Sequence, residues 1–233
     1  MTKTTLITGA NKGLGRETAR RLLAEGHEVW LAARDPSLGQ AAADELGSRF
    51  VQLDVTDDDS VTAAAALVSA ATGGRLDVLI NNAGIAGGRK PAGDVTGDDV
   101  RSVFETNVFG LVRVTHAFLP LLQRSDSAVI VNVSSGMGSI AVTTNPQRFE
   151  STLIGLAYPA SKTAVNMLTT QYAKAFPQIR INAVDPGYTA TDLNGHTGTQ
   201  SVEEGTDAIV AMATLDPSGP TGTFVDRNGV VAW

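Results

Sequence analysis

Short apolar runs alternate with longer segments of helical composition along the chain. The runs are Thr4–Thr8, Glu28–Ala33, Phe50–Val55, Leu76–Asn81, Ala128–Val133 and Ile179–Val184. Several of them are continuously apolar and rich in Val, Ile and Leu, which is typical of strands buried on both faces of a parallel sheet. Because no linker or repeat interrupts the alternation, it predicts an α/β fold in which residues 1–233 form a single doubly wound domain.

Segments of helical composition separate these strands. The predicted helices are Leu14–Glu25, Leu38–Leu46, Ser60–Ala71, Asp99–Leu122, Tyr158–Phe176 and Ser201–Leu215. A last short strand at Gly222–Asp226 would bring the central parallel sheet to about seven strands. Two stretches, at about 136–157 and 186–200, are long and irregular. We expect both to be substrate loops, because long loops inside compact domains are often functional.

The composition excludes several kinds of site and partner. The chain contains no Cys, so a disulfide scaffold, a thiolate zinc site and a thiol nucleophile are excluded. The net charge of −6 disfavours nucleic acid or an anionic membrane as the main partner. No apolar run is long enough to span a membrane and the N-terminus lacks signal-peptide features, so we expect a cytoplasmic protein. His27, His116 and His196 lie far apart along the chain, and no metal site is expected.

A glycine-rich turn connects the first predicted strand to the first predicted helix. It reads Thr8-Gly9-Ala10-Asn11-Lys12-Gly13-Leu14-Gly15. Glycines in such a turn let a pyrophosphate approach the backbone, and the helix N-terminus offers free N–H groups and the positive end of a dipole. The spacing G-x3-G-x-G differs from the commonest dinucleotide fingerprint. Alone, the turn therefore fits either a dinucleotide site or a tight strand-to-helix corner.

The residues after the second strand bear on which dinucleotide would bind. Dehydrogenases that prefer NAD place an acid at the end of this strand, where it accepts from a ribose hydroxyl. Here Arg34 occupies or adjoins that place, and with Lys12 it could meet a 2′-phosphate, which favours NADPH (NADP+). Asp35 leaves the alternative open, since NAD would be favoured if Asp35 faced the ribose.

Further motifs carry polar side chains that could act on a substrate. Tyr158 and Lys162 lie at i and i+4 on one helical face, where the ammonium would stabilise the phenolate and lower the pKa of Tyr158. Ser134 and Ser135 follow the fifth strand, at the sheet edge where ligands of open parallel sheets bind. The turn Asn81-Asn82-Ala83-Gly84 would let the chain pass close under a ligand. Each motif alone also fits a purely structural role.

Taken together and in this order, these motifs and Asp185-Pro186-Gly187 resemble the short-chain dehydrogenase/reductase family over essentially the whole chain. The resemblance implies a Rossmann-type fold and a nicotinamide cofactor. It implies that Tyr158 is the catalytic acid/base and that Ser135, in preference to Ser134, orients the substrate. It further implies that Lys162 binds the nicotinamide ribose and lowers the pKa of the tyrosine, and that Asn107 completes a catalytic tetrad and helps to hold the lysine.

The resemblance also implies a cofactor site drawn from several turns. Its residues would be Gly9, Asn11, Lys12, Gly13, Leu14, Gly15, Arg34, Asp54, Val55, Asn82, Ala83, Gly84, Tyr158, Lys162, Pro186, Gly187, Thr189 and Thr191. The glycines would form the pyrophosphate loop, and Asp54 would contact the adenine. Pro186, Gly187 and Thr191 would grip the nicotinamide end.

Finer features resemble the NADPH-dependent carbonyl reductase branch of that family. They include Asn11-Lys12, Ala33-Arg34-Asp35 and a long gap between Ser135 and Tyr158. We expect the segment in that gap to wall an apolar substrate pocket. We also expect it to cover the helix that often pairs subunits, which would keep the protein monomeric or at most homodimeric.

The leading functional hypothesis is an NADPH-dependent reductase of a ketone or aldehyde, with Tyr158 as proton donor. One alternative is an NAD-dependent alcohol dehydrogenase. Another is a dinucleotide-binding sensor without turnover, which the fold alone permits. The presence of Asn107, Ser135, Tyr158 and Lys162 argues against a sensor, because a sensor needs no proton relay. The sequence does not identify the carbonyl substrate.

Overall fold

A computed structural model describes residues 2–88 and 90–233, and its centre is one twisted sheet. The strands are β1 (Thr4–Thr8), β2 (Glu28–Ala33), β3 (Arg49–Gln52), β4 (Val78–Asn81), β5 (Val129–Val133), β6 (Arg180–Val184), β7 (Phe224–Asp226) and β8 (Gly229–Val230). Their spatial order is β3-β2-β1-β4-β5-β6-β7-β8. The strand order reverses between β1 and β4, and in open parallel sheets ligands bind at such a switch point.

The sheet differs from the predicted one at its edges. Within the described residues it has eight strands, seven of them parallel and the short β8 antiparallel to β7, where about seven were predicted. The sequence could not indicate β8 by periodicity, because a two-residue strand is too short to carry any. The third strand ends at Gln52, before the predicted end at Val55, and Leu53–Val55 continue from it into the turn before the next helix.

Helices cover both faces of the sheet. They are α1 (Gly13–Ala24), α2 (Pro36–Leu46), α3 (Asp58–Ala71), α4 (Gly97–Phe104), α5 (Gly110–Leu122), α6 (Ile140–Thr143), α7 (Ala157–Ala175), α8 (Val202–Gly205) and α9 (Asp207–Ala213). One apolar core joins the sheet to α3, α5 and α7 through residues such as Val68 and Phe118. A second core, on the other face, joins it to α1, α2 and α9 through Leu22 and Ile209. The doubly wound α/β class is confirmed.

The predicted helix Asp99–Leu122 is wrong in one respect that concerns the site. It is split by a π-helical turn at Glu105–Phe109, in which the Gly110 N–H donates to the Glu105 carbonyl. Such turns insert a residue into a helix and are frequent at functional sites. The turn contains Asn107, whose side chain accepts a hydrogen bond from the Ile85 N–H in the segment that follows β4.

One other prediction of helix extent needs correction. The predicted helix Ser201–Leu215 is two short helices, α8 and α9, which meet at Thr206. The break lies directly after Gly205, a residue type with low helix propensity.

The irregular stretch at about 136–157 contains only short elements: 3₁₀ turns at Gly136–Gly138 and Phe149–Thr152, and α6. No helix within residues 2–88 and 90–233 is both long and apolar enough to cross a membrane.

Candidate active site

The glycine turn after β1 is held against the end of β4. The Thr8 hydroxyl accepts the backbone N–H groups of Asn82 and Ala83, both at 3.0 Å. The Asn82 amide donates to the carbonyls of Thr8 and Gly9, at 2.8 and 3.1 Å. Four hydrogen bonds therefore fix the two chain segments that flank the switch point of the sheet.

Two glycines are required in this turn for different reasons. Gly9 has a φ of +63°, in the left-handed region, and a Cβ there would lie 3.0 Å from the Ala83 Cα. A Cβ on Gly15 would lie 2.8 Å from the Ala10 Cα and 2.6 Å from the Asn82 amide nitrogen. The first turn of α1 therefore packs closely against the backbone at Ala10 and against the Asn82 side chain. No side chain caps that N-terminus, and no acid lies in its first turn. These free N–H groups fit the pyrophosphate of a dinucleotide.

Arg34 and Asp35 take different directions after β2. The Asp35 carboxylate accepts the Leu38 N–H at 2.9 Å and caps α2, so Asp35 faces its own helix. Arg34 is exposed, and its guanidinium makes no hydrogen bond or ion pair within the described residues. Its charge interacts electrostatically with Asp54, and a cation without a hydrogen-bonded partner at this strand end fits a phosphate group on the adenosine ribose.

Lys12 has a partner in this structure. Its ammonium lies 2.6 Å from an Asp192 carboxylate oxygen, and both side chains are more than half exposed. His196 contacts the other Asp192 oxygen at 2.7 Å. The pair links the glycine turn to the loop after β6. A phosphate bound by Lys12 would have to compete with Asp192.

Four residues predicted to contact the cofactor have structural partners or partial burial: Asp54, Val55, Asn11 and Leu14. The Asp54 carboxylate accepts both the N–H and the hydroxyl of Thr56, at 2.9 and 2.7 Å. Burial opposes ionisation, but these hydrogen bonds hold the pKa of Asp54 below its usual value. Val55 packs against Gly110. Asn11 and Leu14 are half-buried within the turn itself.

The loop after β6 reaches back over the glycine turn. The Thr191 methyl group would lie 3.7 Å from a Cβ on Gly13. Thr189 is buried, and its hydroxyl donates to the Pro186 carbonyl at 2.9 Å. Thr189 therefore stabilises the loop, whereas Thr191 lies beside the turn where a dinucleotide would pass.

Asn107 joins three elements at the carboxyl end of the sheet. Its amide oxygen accepts the Ile85 N–H at 2.8 Å. Its amide nitrogen donates to the Ile85 carbonyl at 2.9 Å and to the Ser161 hydroxyl at 3.0 Å. The residue is only 2% exposed. Asn107 therefore fixes the chain after Gly84 against α7, close to Lys162.

The two adjacent serines after β5 face different surroundings. Ser134 is buried, and its hydroxyl donates to the Asn166 amide oxygen at 2.6 Å. The Ser135 hydroxyl accepts the Met137 N–H at 3.2 Å and lies close enough to the Tyr158 phenol to lower its pKa. Of the two serines, Ser135 is therefore the one that lies beside Tyr158. A carbonyl oxygen placed between the Ser135 and Tyr158 hydroxyls could receive hydrogen bonds from both.

Lys162 lies one helical turn from Tyr158, and its side chain is directed under the tyrosine. Its ammonium donates to the Val133 carbonyl at 2.7 Å and lies 5.6 Å from the centroid of the Tyr158 ring. The residue is 5% exposed. Burial lowers the pKa of Lys162 to about 8.

The pKa of Tyr158 differs from the expectation. Burial raises it to about 12, although the hydrogen bond with Ser135 acts in the opposite direction. The predicted lowering by Lys162 is wrong for this structure, because the loss of solvent around the phenol outweighs the neighbouring ammonium, which is directed to the Val133 carbonyl. Tyr158 therefore stays protonated at neutral pH and can donate a proton.

Apolar side chains are exposed on the stretch that directly precedes Tyr158 in the chain. Phe149 and Tyr188 lie with ring centroids 5.8 Å apart and join the stretch before α7 to the loop after β6. Leu153, Ile154 and Leu156 are exposed on the same stretch, Ile154 to 87%. No group of three His, Asp or Glu side chains within the described residues could hold a metal ion.

Sequence reasoning missed two polar residues of the site. Ser161 connects Asn107 to the Tyr158 carbonyl, since its hydroxyl donates to that carbonyl at 2.7 Å. Asp185 is buried beside the Ser135 turn. Its position between a buried strand and a Pro-Gly turn could have indicated it, because an acid at the end of such a strand is costly to bury.

Comparisons with known proteins agree with this geometry. Residues 3–201 match the short chain dehydrogenase family. The chain is 34% identical to (+)-neomenthol dehydrogenase of Arabidopsis thaliana, over 97% of this chain and 96% of that one. It is 35% identical to carbonyl reductase [NADPH] 1 of Homo sapiens, over 98% and 97%. The NADPH-bound carbonyl reductase from chicken fatty liver superposes with a TM-score of 0.88 at 31% identity, covering 100% of this chain and 99% of that one.

Proposed function

The chain belongs to the short-chain dehydrogenase/reductase family, and on that basis we propose that it is an NADPH-dependent reductase of ketones or aldehydes. The observation that carries the proposal is that Tyr158 has the Lys162 ammonium 5.6 Å from its ring centroid and Ser135 near enough to lower its pKa. A carbonyl reductase needs donors for the oxygen on which negative charge develops, and these groups supply them.

Each side chain has a defined part in the reaction. When bound, NADPH supplies the hydride that reduces the carbonyl carbon. Ser135 orients the carbonyl oxygen, and Tyr158, protonated at neutral pH, donates the proton to it. Lys162, whose ammonium donates to the Val133 carbonyl, would bind the nicotinamide ribose. Asn107 fixes the chain after Gly84 through its hydrogen bonds to Ile85.

The preference for NADPH over NADH is supported by the residues after β2. Arg34 is exposed and its guanidinium makes no hydrogen bond or ion pair in the described part of the chain, whereas Asp35 is engaged in capping α2. The human relative is named for NADPH, and the chicken reductase was solved with NADPH bound. The direction of Asp35 disfavours NAD, since an acid that recognises NAD would have to face the ribose.

Arg34→Ala is expected to raise the KM for NADPH by roughly tenfold or more and to leave the KM for NADH nearly unchanged. A charge-assisted hydrogen bond contributes about 1.5–3 kcal/mol, and only the 2′-phosphate of NADPH would lose it. Steady-state kinetics with both cofactors checks this. Arg101→Ala is the matched control, because Arg101 is exposed on α4 and pairs with Asp98. Equal effects on both cofactors would exclude Arg34 from the 2′-phosphate site.

The pH dependence of carbonyl reduction should have one alkaline limb near pH 8. The reaction uses the protonated forms of Tyr158 and Lys162, and of the two pKa values that of Lys162, about 8, is the lower. Activity is therefore present below pH 8 and lost as the pH rises through it. The profile of kcat/KM for NADPH reports this value, because it follows groups of the free enzyme. A constant kcat/KM from pH 7 to 10 would contradict the assignment.

The segment before α7 is proposed to wall an apolar substrate pocket and to limit assembly. Phe149 and Ile154 are exposed on this segment, and Phe149 contacts Tyr188 of the loop after β6. Their apolar surface would pack against a ketone. We expect a monomer or homodimer in sedimentation velocity at micromolar concentration, because the segment would cover the helix face on which subunits pair. A stable tetramer would contradict this expectation.

A panel of substrates tests the function as a whole. Purified protein is offered bulky apolar and small polar ketones and aldehydes with NADPH or NADH, and the matching alcohols with NADP+ or NAD+. We expect NADPH oxidation, fastest with bulky apolar ketones. Oxidation of alcohols with NAD+ alone would favour the alcohol dehydrogenase, and cofactor binding without any turnover would favour a sensor.

A further inference from the structure

The mechanism above gives no role to the buried carboxyl group of Asp185. Asp185 follows β6 directly and is 5% exposed. Its own backbone N–H donates to the Val225 carbonyl at 2.8 Å, so the neighbouring strand β7 fixes its main chain. A buried acid is costly unless hydrogen bonds compensate for the lost water, and Asp185 must therefore have partners.

Those partners are two backbone groups, one at Gly136 after β5 and one at Gly187 after β6. One Asp185 oxygen accepts the Gly187 N–H at 3.0 Å. The other Asp185 oxygen lies against Gly136, where a Cβ would be only 2.8 Å from it, and the Gly136 N–H lowers the pKa of Asp185. Gly136 follows Ser135, and Gly187 belongs to the loop proposed to hold the nicotinamide end. The carboxyl group thus joins the turn that carries Ser135 to the loop after β6.

We propose that Asp185 is a positioning residue, whose carboxyl group holds the backbone at Gly136 and at Gly187 and so keeps Ser135 and the nicotinamide loop in register around the reacting centre. The proposal rests on the proposed function. A carboxylate ion suits this task because both of its oxygens accept hydrogen bonds and neither donates.

Several charged groups face the Asp185 carboxylate. Glu150, on the stretch before α7, would lie 3.0 Å from the same Cβ on Gly136, and Asp226 faces it from the end of β7. Arg148 pairs with Glu150 at 3.1 Å and moderates that repulsion. From α7, Lys162 and Tyr158 lie within electrostatic range.

The charge of Asp185 affects both groups on α7. Burial raises the pKa of Asp185, and its two backbone donors oppose that rise. The carboxylate in turn raises the pKa of Lys162 against the effect of burial, and it also raises the pKa of Tyr158. Removing this charge should therefore make both groups lose their protons at lower pH.

Asp185→Asn tests the clamp and the charge together. The Asn oxygen can still accept one N–H, but the amide nitrogen cannot accept the other. We expect kcat to fall about tenfold, as for the loss of one buried hydrogen bond. We also expect the alkaline limb of kcat/KM for NADPH to move to lower pH by about one unit. In the cofactor-free protein, amide hydrogen exchange at Gly136 or Gly187 should accelerate about tenfold.

Asp226→Asn is the matched control. It removes an acid of the same sign that faces Asp185, and its oxygen can still accept the Asn228 N–H that Asp226 accepts at 2.7 Å. Because Asp226 has no backbone link to Ser135, we expect wild-type kcat and exchange rates. If Asp185→Asn does not fold, Gly136→Ala replaces it: the new Cβ would displace the carboxylate, so kcat should fall and exchange at Gly187 should accelerate, whereas the retained charge should leave the alkaline limb in place.

The two readouts separate this proposal from the proposed function. A folded Asp185→Asn protein with a wild-type alkaline limb, or with wild-type exchange at both glycines, overturns the positioning role. If the wild-type protein reduces no carbonyl compound, the proposed function fails instead. Exchange at Gly136 and Gly187 in the cofactor-free protein then decides the clamp by itself.

Discussion

Replacing Tyr158 by Phe is expected to lower kcat by roughly 10²–10⁴-fold, the usual loss for a positioned proton donor. NADPH affinity, measured by fluorescence titration, should stay close to that of the wild type. Tyr158 lies beside Ser135, and its raised pKa of about 12 keeps the proton available at neutral pH. The phenyl ring fills the same space, so the change removes only the hydroxyl.

Tyr172→Phe is the matched control on the same helix. Tyr172 stacks on Phe176, with ring centroids 6.3 Å apart, and packs against the apolar core on that face of the sheet. We expect wild-type turnover from this variant. Wild-type turnover from Tyr158→Phe would remove Tyr158 from the mechanism, and a loss of NADPH binding would mean that the hydroxyl holds the cofactor.

Replacing Lys162 by Ala should impair both NADPH binding and turnover. The ammonium would bind the nicotinamide ribose and support proton transfer from Tyr158. We expect NADPH affinity to fall about tenfold, as for the loss of a charge-assisted hydrogen bond. We expect kcat to fall by roughly 10²-fold or more, as for the loss of general acid–base assistance. Fluorescence titration and steady-state rates measure the two effects separately.

Lys174→Ala provides the control for Lys162→Ala. Lys174 is exposed in the last turn of the same helix, far along it from Tyr158. A melting curve should accompany both variants, because Lys162→Ala also leaves the Val133 carbonyl without its donor at 2.7 Å. If a well-folded Lys162→Ala protein keeps wild-type affinity for NADPH, the ribose contact is wrong.

The strands and the doubly wound class were predictable because parallel strands buried on both faces leave continuous apolar runs. Thr4–Thr8 and Glu28–Ala33 form strands with the bounds expected from the sequence. The π-helical turn around Asn107 was not predictable in this way. It depends on a single inserted residue and on hydrogen bonds to Ile85, which is distant in the sequence and close only in the fold.

The identities of the site residues were predictable from the sequence, but the orientations of their side chains were not. Neighbouring Ser134 and Ser135 are the same residue type, and only the packing of α7 turns one to Asn166 and the other to Tyr158. Arg34 and Asp35 likewise differ by which of them caps α2. The pKa of Tyr158 could not be predicted from the spacing of Lys162, because burial is a property of the folded chain.

Transfer of deuterium tests the central claim, hydride transfer to a carbonyl carbon, most directly. The protein is given a ketone that it turns over, together with NADPH deuterated at C4 of the nicotinamide, in separate reactions for each of the two faces of the ring. Mass spectrometry of the alcohol should find one deuterium on the carbinol carbon from one labelled form and none from the other. Tyr158→Phe should reduce the amount of labelled alcohol by roughly 10²–10⁴-fold. Alcohol that carries no deuterium from either form would contradict the account.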